Sequence, residues 1–398
     1  MFRHALLAGA VMATATAAVM ATQVPAAPAT RESRESVTVQ QLQAAIDQLG
    51  TIDFSVRTGA ARTVRRAPAA QAVPALLKAV ADHQDSYVRF RALVLLAGFN
   101  DPRARDAMVA ALSESNDRLR TVAYTYFEHN LDPEVLPRLL AALPKEESEF
   151  VRPALTRALA AYGNDPRVRQ SVTDLVMKGQ DFFRSVVIEA VGDYKGAYAL
   201  TALTSVARLE GPLQDDAVLA MGKIGDKRAL ETFVALQRSA PRNLQPTIAA
   251  AICLLGVNCS SHQGYLTNSL KFAIDNIGYQ ELLRGSASGL AALAVHGNKD
   301  ALTTLIEVGA PTRDPVRAAI ALALGTVALR NTSALLDALQ TPALLPPAKE
   351  LLREAFDMLE EDFEEERFFA TVRRAYWQAA EGSAARNAAE ALIQGLEF

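Results

Sequence analysis

Cysteine, histidine and aromatic residues are scarce in this chain of 398 residues. It has two cysteines, five histidines and one tryptophan, and aromatic residues make up 6% of the total. Two cysteines are too few for a disulfide framework or a cysteine-rich zinc module. The formal net charge is only −3, so the chain as a whole has no electrostatic preference for nucleic acid or an anionic membrane.

Apolar residues are plentiful by contrast, at 50% of the chain. Much of this share is alanine, which is the strongest helix former and lets helices approach closely. High apolar content combined with low net charge excludes a wholly disordered chain. A chain of 398 residues suits two or three ordinary domains or one long repeat array.

The first residues predict export. Arg3 and His4 form a short basic start, and residues 5–20 form an uncharged run. Small residues near Ala21 and Ala29 offer cleavage sites, so we predict a signal peptide over residues 1–29. An uncleaved anchor would need about 20 strongly apolar residues, which this alanine- and threonine-rich run lacks. The mature protein is therefore expected to be periplasmic or secreted, without stable membrane insertion, and residues 30–50 to be a flexible leader and first helix.

An acidic residue recurs about every 32 positions along most of the remaining chain, and an arginine follows it after three or four positions. We call this the Asp/Arg ladder. Its members are Asp53, Arg57, Asp85, Arg89, Asp117, Arg120, Glu149, Arg152, Asp181, Arg184, Asp314 and Arg317. The ladder fades between residues 210 and 275, where only the hydrophobic pattern indicates the register. In several units a second marker, such as Asp101-Pro102 or Asp165-Pro166, follows midway.

Both markers have a physical reason within one unit. After Asp85, apolar residues recur on one face with the 3.6-residue period of a helix. The Asp85 side chain can accept hydrogen bonds from the amides that begin this helix. Asp101 and Pro102 then suit the cap and the first position of a second helix. A two-helix hairpin cannot bury its apolar face alone, so the hairpins must stack into a solenoid.

These residues resemble the HEAT-repeat family, in particular the short bacterial HEAT-like repeats that also occur in phycobilin lyases. The matching segments are 85–89 (DSYVR), 221–226 (MGKIGD) and 314–317 (DPVR). The resemblance implies an all-α fold, a right-handed α-solenoid of about nine two-helix repeats over residues 51–340, with a helical C-terminal cap over residues 341–398. It also implies that the first helix of each pair lies on the convex side and the second on the concave, partner-facing side.

Two charged clusters lie at opposite ends of the sequence. Arg62, Arg65 and Arg66 belong to the first unit, and the acidic stretch 360–366 belongs to the cap. Terminal units of a solenoid must turn a polar face to solvent, and the acidic stretch suits that role. The separation of the two clusters predicts a molecule that is mildly dipolar along its axis.

Repetition of the Asp/Arg pair argues against catalysis, because an active site requires a single constellation of residues. We interpret the ladder as structural, with helix caps and ion pairs worth at most about 1 kcal/mol each where exposed. The histidines after the signal peptide are scattered, and Glu128-His129 is the reverse of the His-Glu pair used by HEAT-like hydroxylases. Metal ligands must cluster. We therefore expect no metal, no cofactor and no enzymatic activity.

The predicted function is to bind another protein along the concave face, as a non-catalytic scaffold. The candidate contacts are long basic residues assigned to second helices, namely Arg103, Arg105, Arg138, Arg167 and Arg169. Neighbouring acids such as Asp106 and Glu134 dilute their charge, so nucleic acid is not the expected partner. The alternative is an enzyme or enzyme subunit of the HEAT-like lyase type that acts on a bound small molecule or chromophore.

Cys253 and Cys259 leave two alternatives open. If Gly256 turns the chain back, the two sulfurs can form a disulfide, which needs Cα atoms about 4.4–6.8 Å apart. Export to an oxidising compartment would favour this bond. Otherwise Cys253 is a buried free thiol and Cys259 an exposed one.

Overall fold

The computed structural model describes residues 37–359 and 362–398, and within these ranges every regular element is a helix. The predicted signal peptide and the part of the leader before Val37 lie outside the described residues. The first helix, α1, spans Val39–Gln48, and the Thr38 side chain accepts a hydrogen bond from the Gln41 amide at its start. The predicted all-α solenoid is confirmed.

After α1 the chain forms successive hairpins, each with a first and a second helix. The first helices are α2 (Phe54–Arg66), α4 (Ser86–Gly98), α6 (Asp117–His129), α8 (Arg152–Ala161), α10 (Asp181–Asp193), α12 (Gln214–Ile224), α14 (Gln245–Leu254), α16 (Gln280–Val295) and α18 (Val316–Arg330). The second helices are α3 (Ala69–Asp82), α5 (Ala104–Ala111), α7 (Leu136–Ala142), α9 (Pro166–Met177), α11 (Leu200–Ala207), α13 (Leu230–Ser239), α15 (Cys259–Asp275), α17 (Lys299–Gly309) and α19 (Thr332–Ala338). Three more helices follow: α20 (Leu345–Met358), α21 (Asp362–Gln378) and α22 (Ala384–Gly395).

The acidic markers begin many of these helices. The Asp85 carboxylate accepts from the Tyr87 amide at 2.8 Å at the start of α4, and Asp165 accepts from the Arg167 amide at 2.8 Å at the start of α9. Asp117 is instead the first residue of α6, and Asn116 before it holds the capping position. The period of 32 therefore locates the helix starts to within one residue.

The first helices form the inner layer of the solenoid. Each one from α4 onward packs directly on the next, and second helices touch one another much less. Small residues allow this close approach: a Cβ at Gly192 would lie 2.7 Å from the Cα of Ala220, and one at Gly222 would lie 2.6 Å from that of Ala251. A stack whose first helices are the closer together curves towards them. The expectation that second helices form the concave side is therefore wrong.

The C-terminal helix α21 joins the two ends of this inner layer. It packs against α4 and α6 near the start of the solenoid and against α18 near its end. Phe363 belongs to the hydrophobic core of the first hairpins, whereas Phe368 and Tyr376 belong to the core of the last ones. This part of the concave side is consequently covered by the protein's own chain.

The acidic stretch does not form a polar outer face. Residues 360 and 361 lie outside the described ranges, but Glu364 and Glu366 are only 4% and 3% exposed. Glu366 accepts from Arg65 of α2 at 2.7 Å, and the Arg91 side chain of α4 pairs with Asp362. The two charged clusters that the sequence places at opposite ends are in contact, because α21 returns to the first hairpins.

Cys253 and Cys259 are joined by a disulfide between α14 and the first residue of α15. The turn between them passes through Gly256 and Asn258, which have φ angles of +74° and +45°. Gly256 takes this left-handed conformation without a Cβ clash.

Membrane-spanning character was assessed over the described ranges. There, no single helix has both the length and the hydropathy of a membrane span, and α18 and α19 meet that test only together, across a bend of 112°.

Candidate functional site

Two of the predicted binding arginines are held by their own helix caps. Arg103 donates from Nε and Nη2 to the two Asp101 oxygens, each at 2.8 Å, and Arg167 grips Asp165 in the same way at 3.1 and 2.8 Å. These hydrogen bonds lower the pKa of both Asp101 and Asp165 to about 2. The two arginines therefore belong to local Asp-Pro-Arg turns.

The other three predicted arginines also lie on or beside second helices. Arg105 bridges Asp132 at 2.7 Å and Glu134 at 2.8 Å, and the Arg169 Nε donates to a carbonyl oxygen at 2.7 Å. Arg138 is exposed and has no ion-pair partner among the described residues. Since second helices form the outer layer, the five residues do not line the concave side. Their role in binding remains a prediction.

The ladder arginines connect neighbouring hairpins. Nε of Arg89 donates to the Val80 carbonyl at the end of α3 at 2.7 Å, and Nε of Arg184 donates to Val176 near the end of α9 at 3.0 Å. Such a bond satisfies one of the carbonyls that a helix end leaves unpaired. Several ladder arginines also bind a carboxylate, as Arg120 binds Glu146 at 2.9 Å.

Two ladder positions depart from this pattern. Arg152 lies over the Phe183 ring, with its guanidinium carbon 4.4 Å from the ring centroid, and its Nε has no hydrogen-bond partner among the described residues. Glu149 is exposed and precedes α8 without capping it. The ladder thus marks the hairpins at these positions without using the same contacts.

The C-terminal ends of several first helices converge on a network of buried charges. Arg157 of α8 binds Glu128 at 3.1 Å and Asp193 at 3.0 Å, and Lys223 of α12 binds Asp193 at 2.7 Å. The Tyr194 hydroxyl donates to Glu128 at 2.7 Å. Burial disfavours the charge of Arg157, but the surrounding carboxylates outweigh burial and raise its pKa.

Glu364 of α21 extends this network. It is 2.6 Å from His129, 2.5 Å from Arg367 and 3.3 Å from Arg330, which lie on α6, α21 and α18. Burial alone would raise its pKa, but His129 and the two arginines lower the pKa to about 2. The carboxylate is therefore ionised at neutral pH and holds three helices together.

Asp216 of α12 behaves in the opposite way. Burial raises its pKa to about 6, and the nearby carboxylates of Asp215 and Glu189 add to this shift, although the Ser185 hydroxyl favours the charged form. These acids lie on α10 and α12, so first helices in the middle of the solenoid bear negative charge where the sequence led us to expect basic residues on second helices.

Two cavities open between the helices. An apolar groove of about 440 Å³ lies between α3 and α5, with Leu77, Val80 and Ala107 in its walls and Arg103 at its edge. A smaller polar pocket of about 190 Å³ lies where the ends of α4 and α6 meet α21. Within the described ranges, no three His, Cys, Asp or Glu side chains are grouped as metal ligands would be.

Large apolar side chains are exposed along one edge of the solenoid, at or just before the starts of first helices. Phe150 is 85% exposed, Phe182 71%, Leu209 63% and Ile277 62%. We call these four residues the apolar edge. Near Ile277, the partly exposed rings of Phe272 and Tyr279 pack edge to face with centroids 5.0 Å apart. The sequence analysis missed this edge, although Phe150 and Phe182 are separated by the ladder period.

Comparison with known proteins agrees with the repeat architecture. Residues 42–128 match the family model of HEAT repeats. YibA of Escherichia coli is 16% identical, with 55% of this chain and 82% of that chain covered and a TM-score of 0.41. The CpcE–CpcF complex of phycocyanin lyase from Nostoc sp. is 16% identical, with 64% and 94% covered and a TM-score of 0.40. Kap95p, in a complex with RanGDP, is 12% identical, with 90% and 61% covered and a TM-score of 0.40. By sequence, none of the curated proteins compared with the chain matches it.

Proposed function

We propose that this HEAT-repeat solenoid is an exported, non-catalytic scaffold that binds another protein along its apolar edge. The observation that carries the proposal is the exposure of Phe150, Phe182, Leu209 and Ile277 at repeated positions of successive hairpins. Isolated exposed apolar residues are ordinary, but a contiguous series of them is typical of an interaction surface.

The spacing of the apolar edge suits an extended partner. Packed helices lie about 8–10 Å apart. Phe150 and Phe182 precede or begin adjacent first helices, so their side chains recur at about that interval along the edge. A bound segment that places one apolar residue every 8–10 Å could meet several hairpins at once, which increases affinity through several weak contacts.

The concave side supports this choice of surface indirectly. Helix α21 covers the inner layer at α4, α6 and α18, so a partner cannot lie along the whole concave side without displacing it. The five predicted binding arginines lie with the outer helices, and Arg103, Arg105 and Arg167 already bind carboxylates. The apolar edge is free of both obstacles.

The export part of the proposal rests on the first 29 residues, with their basic start and uncharged run. A disulfide between Cys253 and Cys259 agrees with an oxidising compartment. Mass spectrometry of the native N-terminus tests this part: we expect a chain that begins near Thr22 or Thr30. Intact Met1 recovered from the cytosol would contradict it.

The binding part is tested with the full mature chain as bait in exported fractions of the native host. We expect a stoichiometric protein partner that is retained by the wild type and lost by the double variant Phe150→Ser/Phe182→Ser. Leu131→Ser is the matched control, because Leu131 is 58% exposed but lies after α6, at the opposite edge. Equal retention by the double variant, or equal loss by the control, contradicts the apolar edge. A bound chromophore or small molecule in place of a protein would favour the lyase-type alternative.

A further inference from the structure

The polar pocket between α4, α6 and α21 has a distinctive lining. Asn100 lies just beyond the end of α4, Tyr126 and Asn130 lie at the end of α6, and Arg367 and Arg374 lie on α21. The His129 and Phe363 rings are stacked in its wall, with centroids 6.1 Å apart. Hydrogen-bond donors thus come from three helices, and α21 supplies both of the arginines that line the pocket.

The charges around this pocket are not balanced. Glu364 contacts both Arg367 and Arg330, so a single carboxylate faces two guanidinium groups. Arg374 adds another positive charge and has no carboxylate within 4 Å among the described residues. The ends of α4 and α6 contribute about half a negative charge each. Even with these included, the pocket retains excess positive charge.

Neutral donors are also available in the pocket. Burial raises the pKa of Tyr126, so its hydroxyl remains a protonated donor at neutral pH. The Asn130 side chain donates one bond to the Tyr126 carbonyl at 2.9 Å, which leaves its second amide hydrogen for another acceptor. Asn100 is exposed at the rim.

We propose that this pocket binds a small oxyanion, a carboxylate or phosphate group, with Arg374 as its principal contact. An arginine gives such a group two parallel charge-assisted hydrogen bonds, and Tyr126 and the two asparagines supply the remaining donors. The volume of about 190 Å³ is below the 300–1,000 Å³ typical of sites for drug-sized ligands, so the ligand carries few atoms beyond the anionic group. This inference is independent of the apolar edge.

Calorimetric titration of the full mature chain tests the proposal, with inorganic phosphate in one arm and acetate in the other, at constant ionic strength set by chloride. We expect saturable binding of at least one anion, and a loss of about tenfold in affinity for Arg374→Gln, as for one charge-assisted contact. Tyr126→Phe should weaken binding by a smaller factor. The arm that binds more tightly identifies the group.

Arg238→Gln is the matched control, because Arg238 is also exposed and without an ion-pair partner among the described residues. It should bind the anion as the wild type does. Both variants should keep the wild-type melting temperature without anion, since surface substitutions have small effects. No saturable binding in either arm, unchanged affinity in Arg374→Gln, or an equal loss in Arg238→Gln would each overturn the proposal.

Discussion

Two sets of ion pairs stabilise this solenoid, and they differ in exposure and in the distance they bridge along the chain. Ladder pairs connect adjacent hairpins: Arg89 binds Glu114 across 25 residues, with side chains 23% and 33% exposed. The pairs of α21 connect distant hairpins: Arg65 binds Glu366 across 301 residues, with side chains 7% and 4% exposed. The first set repeats with the hairpins, whereas each pair of the second set is unique.

The difference has an energetic consequence. A half-exposed pair keeps much of its hydration, so either partner can be removed at modest cost. A buried pair has lost its hydration, and removal of one partner leaves an uncompensated charge. The ladder therefore adds many small contributions, while the α21 contacts are few and individually important. An open solenoid is stabilised only by its neighbours, and here α21 adds contacts between its ends.

The strongest test of this contrast is to remove one partner of the buried pair. Glu366→Gln should lower the free energy of unfolding by about 3–5 kcal/mol, because Arg65 is left buried and charged. Denaturant unfolding followed by circular dichroism measures the loss. The double variant Arg65→Met/Glu366→Met should recover most of the stability, since both charges are then absent. A loss below about 1 kcal/mol in the single variant would place this pair with the ladder pairs.

Acid should weaken the contacts of α21 before those of the ladder. The pKa of Glu364 is lowered from 4.5 to about 2 in the folded protein. Its contribution of about 3 kcal/mol is therefore fully present above pH 4.5 and is lost as the pH falls towards 2. Glu364→Gln should be less stable at pH 7, and its stability should fall less between pH 5 and pH 2. Glu350→Gln, an exposed carboxylate on α20, should keep the wild-type pH profile.

A ladder residue should give a smaller effect. Arg120→Ala removes bonds to Glu146 and Asp117 and to the carbonyls of Glu114 and Ser115. We expect a loss of about 1–2 kcal/mol in thermal or denaturant unfolding, because the groups left behind regain part of their hydration. Arg138→Ala is the control and should be nearly neutral. A loss comparable to that of Glu366→Gln would remove the distinction between the two sets.

The smallest effect is expected at Asp216, which belongs to neither set. Its folded pKa of about 6 lies above the usual 3.8, so this group lowers stability as the pH rises from about 4 to 6. Asp216→Asn should therefore be more stable than the wild type at pH 7, by about 1 kcal/mol after allowance for solvent screening, and equal to it at pH 4. Asp215→Asn, at the exposed neighbouring position, should change little at either pH. A destabilised Asp216→Asn would show that the carboxylate charge is needed.

The sequence was most informative where the repeat is regular. The period of 32 located the first helices from Asp85 to Asp181 to within one residue, because capping and helical periodicity are local properties. It was least informative about the candidate sites. The apolar edge depends on which loop residues the stacked hairpins leave exposed, and the polar pocket depends on α21 meeting α4 and α6, more than 200 residues away.

By itself, the sequence determined that this protein is a helical repeat solenoid, because one hairpin cannot bury its own apolar face and neighbouring hairpins carry the same pattern. It did not determine the direction of curvature. Contacts such as Gly192 against Ala220 place the first helices closer together, and only the stacked structure brings these residues opposite each other. Nor did it pair Arg65 with Glu366. Both charged clusters were visible in the sequence, but opposite charges attract appreciably only within about 10 Å in physiological salt, and the tertiary fold decides which of them come that close.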